Sequence, residues 1–188
     1  LIGLTMGCIY GKNFSEISQA DLEGNFNEWA VGKQFVLGDD VTGSDRRAHA
    51  DVLKKLITQK ELRVNQKFVP SYTVPDCLNY YFTSNQPDAF FLEDDDRRYF
   101  VHEVTQPPLE QGFYRAYGAW LKEGGAAGLF DWLLKYDLGD FNPAAPALRT
   151  AAKDLMTQDV KSDLGSWVAR LLRDPDNILR VGDCAMRG

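Results

Sequence analysis

Phe35-Val36-Leu37-Gly38-Asp39-Asp40 is the stretch on which the fold turns. Three apolar residues and a glycine run straight into two adjacent carboxylates. A short uninterrupted apolar run of this kind is a strand buried on both faces, with its acid at the C-terminal end. In open α/β sheets that end is where ligands bind. There a carboxylate pair can hold Mg²⁺, directly or through water, and polarise an attacking water. Asp-Asp before Val41-Thr42-Gly43 is equally good turn chemistry, so this stretch alone leaves both readings open.

Reading outward, residues 44–58 form an amphipathic helix, with Ala48, Val52, Leu53, Leu56 and Ile57 on its apolar face. Upstream, residues 15–30 have roughly helical spacing at Ile17, Leu22, Phe26 and Trp29, with Ser15 as the expected N-cap. The opening residues 1–13 are apolar, are broken by glycines and lack an N-cap. They read as the tail of an element begun upstream, and hence as a fragment of a longer polypeptide. Downstream, Leu62 and Val64 alternate with polar residues. A turn-like Asn65-Gln66-Lys67 then leads into Phe68–Val74, so a hairpin or extended loop is expected. Residues 77–83 predict an aromatic strand ending at Ser84-Asn85, and residues 98–104 a further strand after an acidic turn. The rest is helical in pattern: 109–122 and 127–135 around Gly124-Gly125, then 144–156 and 161–172. The class is therefore α/β with a C-terminal α-helical part, divided into residues 1–106 and 107–188.

Composition narrows the functional classes. The 188 residues are 44% hydrophobic and 26% charged, and no apolar run approaches the roughly 20 residues of a membrane span. Neither a membrane protein nor a secreted disulfide-rich one is expected. Cys8, Cys77 and Cys184 are far apart and His49 and His102 are isolated, so no zinc site is expected. Buried free thiols in a reducing cytoplasm are the expected state of the cysteines. A net charge of −6 argues against a protein that coats DNA by bulk electrostatics. It leaves room for a nucleic-acid contact confined to one loop.

Three further places carry candidate chemistry. Asn85, at the tip of an apolar strand, can hydrogen-bond a γ-phosphate or its attacking water, or simply belong to a Ser-Asn-Gln-Pro turn. Asp96-Arg97-Arg98 sets paired guanidiniums before an apolar segment. Arginine there can act on a neighbour's nucleotide or pair with the preceding aspartates. Lys67, near a hairpin tip, can hold a single-stranded backbone if the loop lines a channel.

The order of these features resembles the ATPase core of superfamily 3 helicases of the D5-like type found in phage and plasmid primase-helicases. The resemblance runs over roughly residues 1–105 and more loosely beyond. It implies a P-loop NTPase (AAA+-like) core in which Asp39 and Asp40 match the Walker B acids and Asn85 the sensor-1 asparagine. It places Lys67 in the hairpin that touches single-stranded DNA, and Arg98, or alternatively Arg97, at the arginine finger. Further implications are ATP and Mg²⁺ as cofactors, with Asp39 and Asn85 at the nucleotide and Asp39 and Asp40 at the metal. A ring, expected to be a hexamer, would translocate on DNA during replication in a bacterial host's cytoplasm.

The chain also departs from that pattern. It contains no G-x-x-x-x-G-K-[ST]. Gly7-Cys8-Ile9-Tyr10-Gly11-Lys12-Asn13 has one residue too few between its glycines, and Asn where Ser or Thr would meet Mg²⁺. Asp40 stands where relatives often carry the longer Glu. In the family the phosphate-binding loop lies just upstream, so an N-terminally truncated core, inactive alone, is expected. A non-hydrolysing degenerate AAA+-like module for DNA or partner binding is the alternative. A metal-dependent nuclease built on Asp39, Asp40 and Glu103 is a third reading.

Overall fold

A computed structural model describes residues 1–41, 46–86, 89–159 and 172 of the chain. Its centre is β2 (Phe35–Gly38), all four residues of which are buried. β1 (Phe14–Ile17) and β5 (Asn79–Phe82) flank it in parallel, giving the order β1-β2-β5. Parallel pairing needs crossovers and covered faces, and both are present. α1 (Ile2–Tyr10) lies on the face that carries Phe14, Phe35, Leu37 and Tyr81. Gly3 lets it approach closely, because a side chain there would strike Leu37, while Gly7 lies over the Phe14 ring. The Phe35 ring stacks on Tyr10, Phe14 and Tyr81, with centroids 5.3, 6.1 and 6.3 Å away, and ties helix and strands together. On the opposite face Phe82 meets Phe90 at 5.4 Å, and Phe90 meets Tyr99 at 6.1 Å.

After α3 (Arg46–Thr58) the chain inserts an antiparallel hairpin, β3 (Glu61–Gln66) and β4 (Val69–Pro75), before returning to β5. The strict alternation of Leu62 and Val64 with polar residues buries those two against Ala30, flanked by Trp29, Leu56, Val74 and Leu78. Asn27 secures the base, donating to the Arg63 carbonyl at 2.8 Å and accepting from the Asn65 amide at 2.7 Å. Helices α4 (Gln111–Lys122) and α5 (Gly125–Lys135) follow, turned by Gly124 at φ 88°, a left-handed conformation that favours glycine. The Thr5 and Tyr117 hydroxyls, 2.6 Å apart, join α4 to α1. α6 (Ala151–Asp159) closes the described chain apart from residue 172.

The central strand, the helix after it, the hairpin, the aromatic strand and the Gly124-Gly125 break all match the sequence reading. Residues 15–30 do not form one helix. Phe14–Ile17 is the edge strand β1, and the capping box is Ser18 with Asp21, which starts the short α2 (Gln19–Glu23). The spacing of Phe14 and Ile17 suits a helix face as well as a strand, and pairing with β2 decides between them. Residues 98–104 are irregular, not a strand. The Thr150 and Lys153 side chains, rather than a neighbouring strand, take up the carbonyls of Val101 and Tyr99. The helix expected over 144–156 begins only at Ala151. Pro146 disfavours helix in the residue before it, and the Thr150 hydroxyl accepts the Lys153 amide at 3.2 Å as an N-cap does. Cys8 and Cys77 are exposed free thiols, contrary to the expectation of burial. Cys8 stands about 100° around α1 from sheet-facing Gly7. Cys184 and the helix expected over 161–172 fall outside the described residues, save Leu172.

Candidate functional site

The C-terminal ends of β2 and β5 meet in one polar cluster. Because the strands run parallel with Gly38 opposite Phe82, the residues just beyond both strands emerge together. The Thr83 hydroxyl donates to Asp39 Oδ1 at 2.5 Å and accepts from the Asp40 amide at 3.1 Å. Asn85 Nδ2 donates to Asp40 Oδ1 at 3.2 Å. Two backbone bonds, Thr83 N to the Gly38 carbonyl and Val41 N to the Thr83 carbonyl, both 2.9 Å, lock the register beneath. Asp40 sits at φ 49°, in the left-handed region that aspartate tolerates better than most residues. Its side chain meets Asn85, which lies three residues beyond the end of β5. Non-glycine residues held in that region are concentrated at functional sites.

Both carboxylates are exposed. Each has one oxygen engaged by a neutral donor, and its Oδ2 has no described hydrogen-bond partner. An all-oxygen set of this kind fits a hydrated Mg²⁺, a hard cation that keeps several of its waters. Asp39 and Asp40 are therefore the residues that would hold it, and Asn85 stands beside them. The structure brings together three of the residues singled out from the sequence, and adds Thr83 as the hydroxyl between them.

Lys67 occupies the tip of the β3–β4 hairpin and is exposed. Its neighbour Phe68 is 93% exposed and adopts φ 65°. The Lys67 ammonium stands 5.0 Å from the Phe68 ring centroid, a cation–π arrangement. A two-residue turn that needs a positive φ ordinarily selects glycine or asparagine. A bare phenylalanine there is a feature the sequence reading missed. Its signal was present as Lys-Phe between two alternating runs, with no Gly or Asn at the turn.

Arg98 and Arg97 have different surroundings. Arg98 Nη1 lies 3.4 Å from Asp96 Oδ2, its side chain is 28% exposed, and its Nε is buried with no hydrogen-bond partner. Arg97 is exposed and makes no ion pair among the described residues. Burial pushes the Asp96 carboxyl up. The Tyr99 amide, the Lys153 ammonium and the Arg98 amide outweigh that effect and hold it below the usual carboxylate range. The Tyr99 phenol is pushed well up, first by burial and then by the Asp96 charge. Among the described residues neither arginine nor Lys67 bonds to the Asp39–Asp40 cluster. The Phe82–Phe90–Tyr99 ring contacts connect the end of β5 to the arginine segment.

The protein resembles phage replication proteins over part of its length. Across 103 residues, 53% of this chain, it is 29% identical to the DNA primase-polymerase of Nitratiruptor phage NrS-1, and covers 14% of that relative. The apo structure of the NrS-1 C-terminal region (305–718) has the same fold, with a TM-score of 0.70 and 22% identity over 93% of this chain and 42% of that one. An A-form apo structure of the same region gives 0.72 and 20% over 97% and 47%. The chain thus spans less than half of each solved relative. No described helix is long and apolar enough to cross a membrane. Residues 2–98 hold every described strand, the acidic cluster, the hairpin tip and both arginines, and over that span the chain matches and belongs to the family of unknown function DUF5906.

Proposed function

We propose that the chain is part of a superfamily 3-type helicase core with a P-loop NTPase (AAA+-like) fold. It would act in phage or mobile-element DNA replication, hydrolysing ATP with Mg²⁺ to move along single-stranded DNA. The observation that carries the reading is the acidic pair at the end of the central parallel strand, cross-bonded to Thr83 and Asn85 just beyond the next. Asp39 and Asp40 would hold the metal, which neutralises phosphate charge when bound. Asp40 would also orient the attacking water, and Asn85, fixed on Asp40, would hydrogen-bond the γ-phosphate or that water. Lys67 and Phe68 would meet single-stranded DNA with a charge and a π-face on a rooted hairpin. The Arg97–Arg98 pair would serve the nucleotide of a neighbouring subunit in a ring. Likeness to the NrS-1 protein supports the replication setting.

The reading needs a phosphate-binding loop, and these 188 residues contain none. The second reading is a degenerate AAA+-like module that binds DNA or a partner without hydrolysis. Steady-state phosphate release and nucleotide binding by the longer polypeptide separate the two. Asp40→Asn should leave ATP binding intact and slow hydrolysis, while Asp39→Asn should weaken Mg²⁺-dependent binding as well. Equal and mild effects from both would leave the acidic pair as a turn and remove the ATPase reading.

A further inference from the structure

The segment carrying Arg97 and Arg98 has no regular secondary structure, yet residues 147–153 hold the carbonyls of Asp96, Arg97, Tyr99 and Val101. The Ala147 amide donates to the Arg97 carbonyl at 2.8 Å. The Thr150 hydroxyl donates to the Val101 carbonyl at 2.6 Å. Lys153, on α6, is 5% exposed and donates to the carbonyls of Asp96 at 2.7 Å and Tyr99 at 2.8 Å and to Asp96 Oδ1 at 3.1 Å. All three of its protons are used. The Asp96 carboxylate, 1% exposed, accepts in turn the amides of Arg98 and Tyr99, both at 3.0 Å.

A buried lysine is costly unless charge and hydrogen bonds compensate it, and here both converge on four residues of one loop. The arrangement also sorts the two arginines. Arg98 turns back onto Asp96, whereas Arg97 has its carbonyl pinned and its side chain in solvent.

We propose that Lys153 is a positioning residue for Arg97: it sets the 96–99 backbone so that Arg98 is held inside the chain and Arg97 is the guanidinium offered to a neighbouring subunit's nucleotide. The proposal rests on the ATPase reading above and deepens it. α6 thereby acquires a part in hydrolysis without touching substrate.

The test is turnover by the assembled longer polypeptide with ATP and single-stranded DNA. Lys153→Met alone leaves the buried Asp96 carboxylate with Arg98 as its one remaining counter-charge among the described residues and can unfold the chain, so Asp96→Asn/Lys153→Met is measured beside it. The double variant removes both charges and keeps an oxygen at position 96 for the two amides. Misplacing a catalytic group by about 1 Å costs on the order of 10²-fold in rate. The folded double variant should therefore lose about 10²-fold in kcat, with KM within about twofold of the parent. Mixed with Asp40→Asn subunits it should regain part of its activity, because each type repairs the other's side of an interface. Arg97→Ala should cost more than Arg98→Ala, roughly 10³-fold or beyond for a finger acting in trans. If neither arginine variant alters turnover, the finger reading fails and takes this proposal with it. If Arg97→Ala abolishes turnover while the folded double variant keeps its kcat, or if Arg98→Ala is the more damaging, the positioning role alone is overturned.

Discussion

Replacing Phe68 by asparagine should stabilise the fold and weaken single-stranded DNA binding at the same time. A non-glycine residue in the left-handed region costs roughly 1–2 kcal/mol, and Phe68 sits there at φ 65°. At 93% exposure its ring contributes no apolar burial to lose. What goes is the contact with the Lys67 ammonium, worth about 0.5–1 kcal/mol at an exposed site. Asparagine tolerates this conformation, so Phe68→Asn should raise stability by a net of about 0.5–1 kcal/mol. For a chain of this size that is a rise in Tm of roughly 1–4 °C. Base–aromatic stacking is worth about 1–3 kcal/mol, so affinity for single-stranded DNA should fall roughly 5- to 150-fold. Thermal melts and fluorescence anisotropy with a labelled oligothymidine at fixed salt measure the two effects. Lys67→Ala is the companion, and should instead lower the salt slope of binding by about one. Unchanged affinity, or a lower Tm, in Phe68→Asn would refute the reasoning, because the exposed ring would then have no ligand or the strained turn no cost.

Three other perturbations probe the supports of the site. Val64→Ala, at a fully buried position in the hairpin base, should cost about 2 kcal/mol in chemical denaturation and loosen the hairpin, seen as faster amide exchange at the Asn27–Asn65 pairing. Gly38→Ala should cost about 1–3 kcal/mol, since its Cβ would lie 2.5 Å from the Phe82 ring, and should disturb the Thr83–Asp39 bond just beyond. Asp96, held below the usual carboxylate range, contributes stability that is complete above its unfolded value near ~3.9 and is lost as pH falls through its lower folded value. Urea midpoints across that acid window should therefore fall more steeply for the parent chain than for Asp96→Asn, and parallel curves would refute the linkage.

The elements legible in the sequence are those whose pattern is local. β2 announces itself by an apolar run with an acidic end, and the hairpin by the alternation around Leu62 and Val64. Asp39, Asp40 and Asn85 stood out because each terminates an aromatic or aliphatic run. Parallel pairing then brings those ends together, as the hydrogen bonds through Thr83 and Asn85 record. Residues 15–17 read as helix because a four-residue edge strand is too short for its period to show.

Residues 98–104 show the opposite failure. Tyr99, Phe100 and Val101 have strand-forming side chains, and propensity alone assigns a strand. A strand also needs a neighbour to take its amides and carbonyls, and among the described residues β1, β2 and β5 pair only with one another. The segment instead spends its carbonyls on Thr150 and Lys153, and its side chains on Phe90 and Asp96. Nothing within ten residues of Lys153 distinguishes it from a solvated lysine on an amphipathic helix. Its burial is decided 57 residues away, where Asp96 supplies both a carboxylate and a carbonyl. Such a clamp leaves no local period, cap or motif. It becomes visible only where two segments distant in sequence meet and satisfy each other's polar atoms.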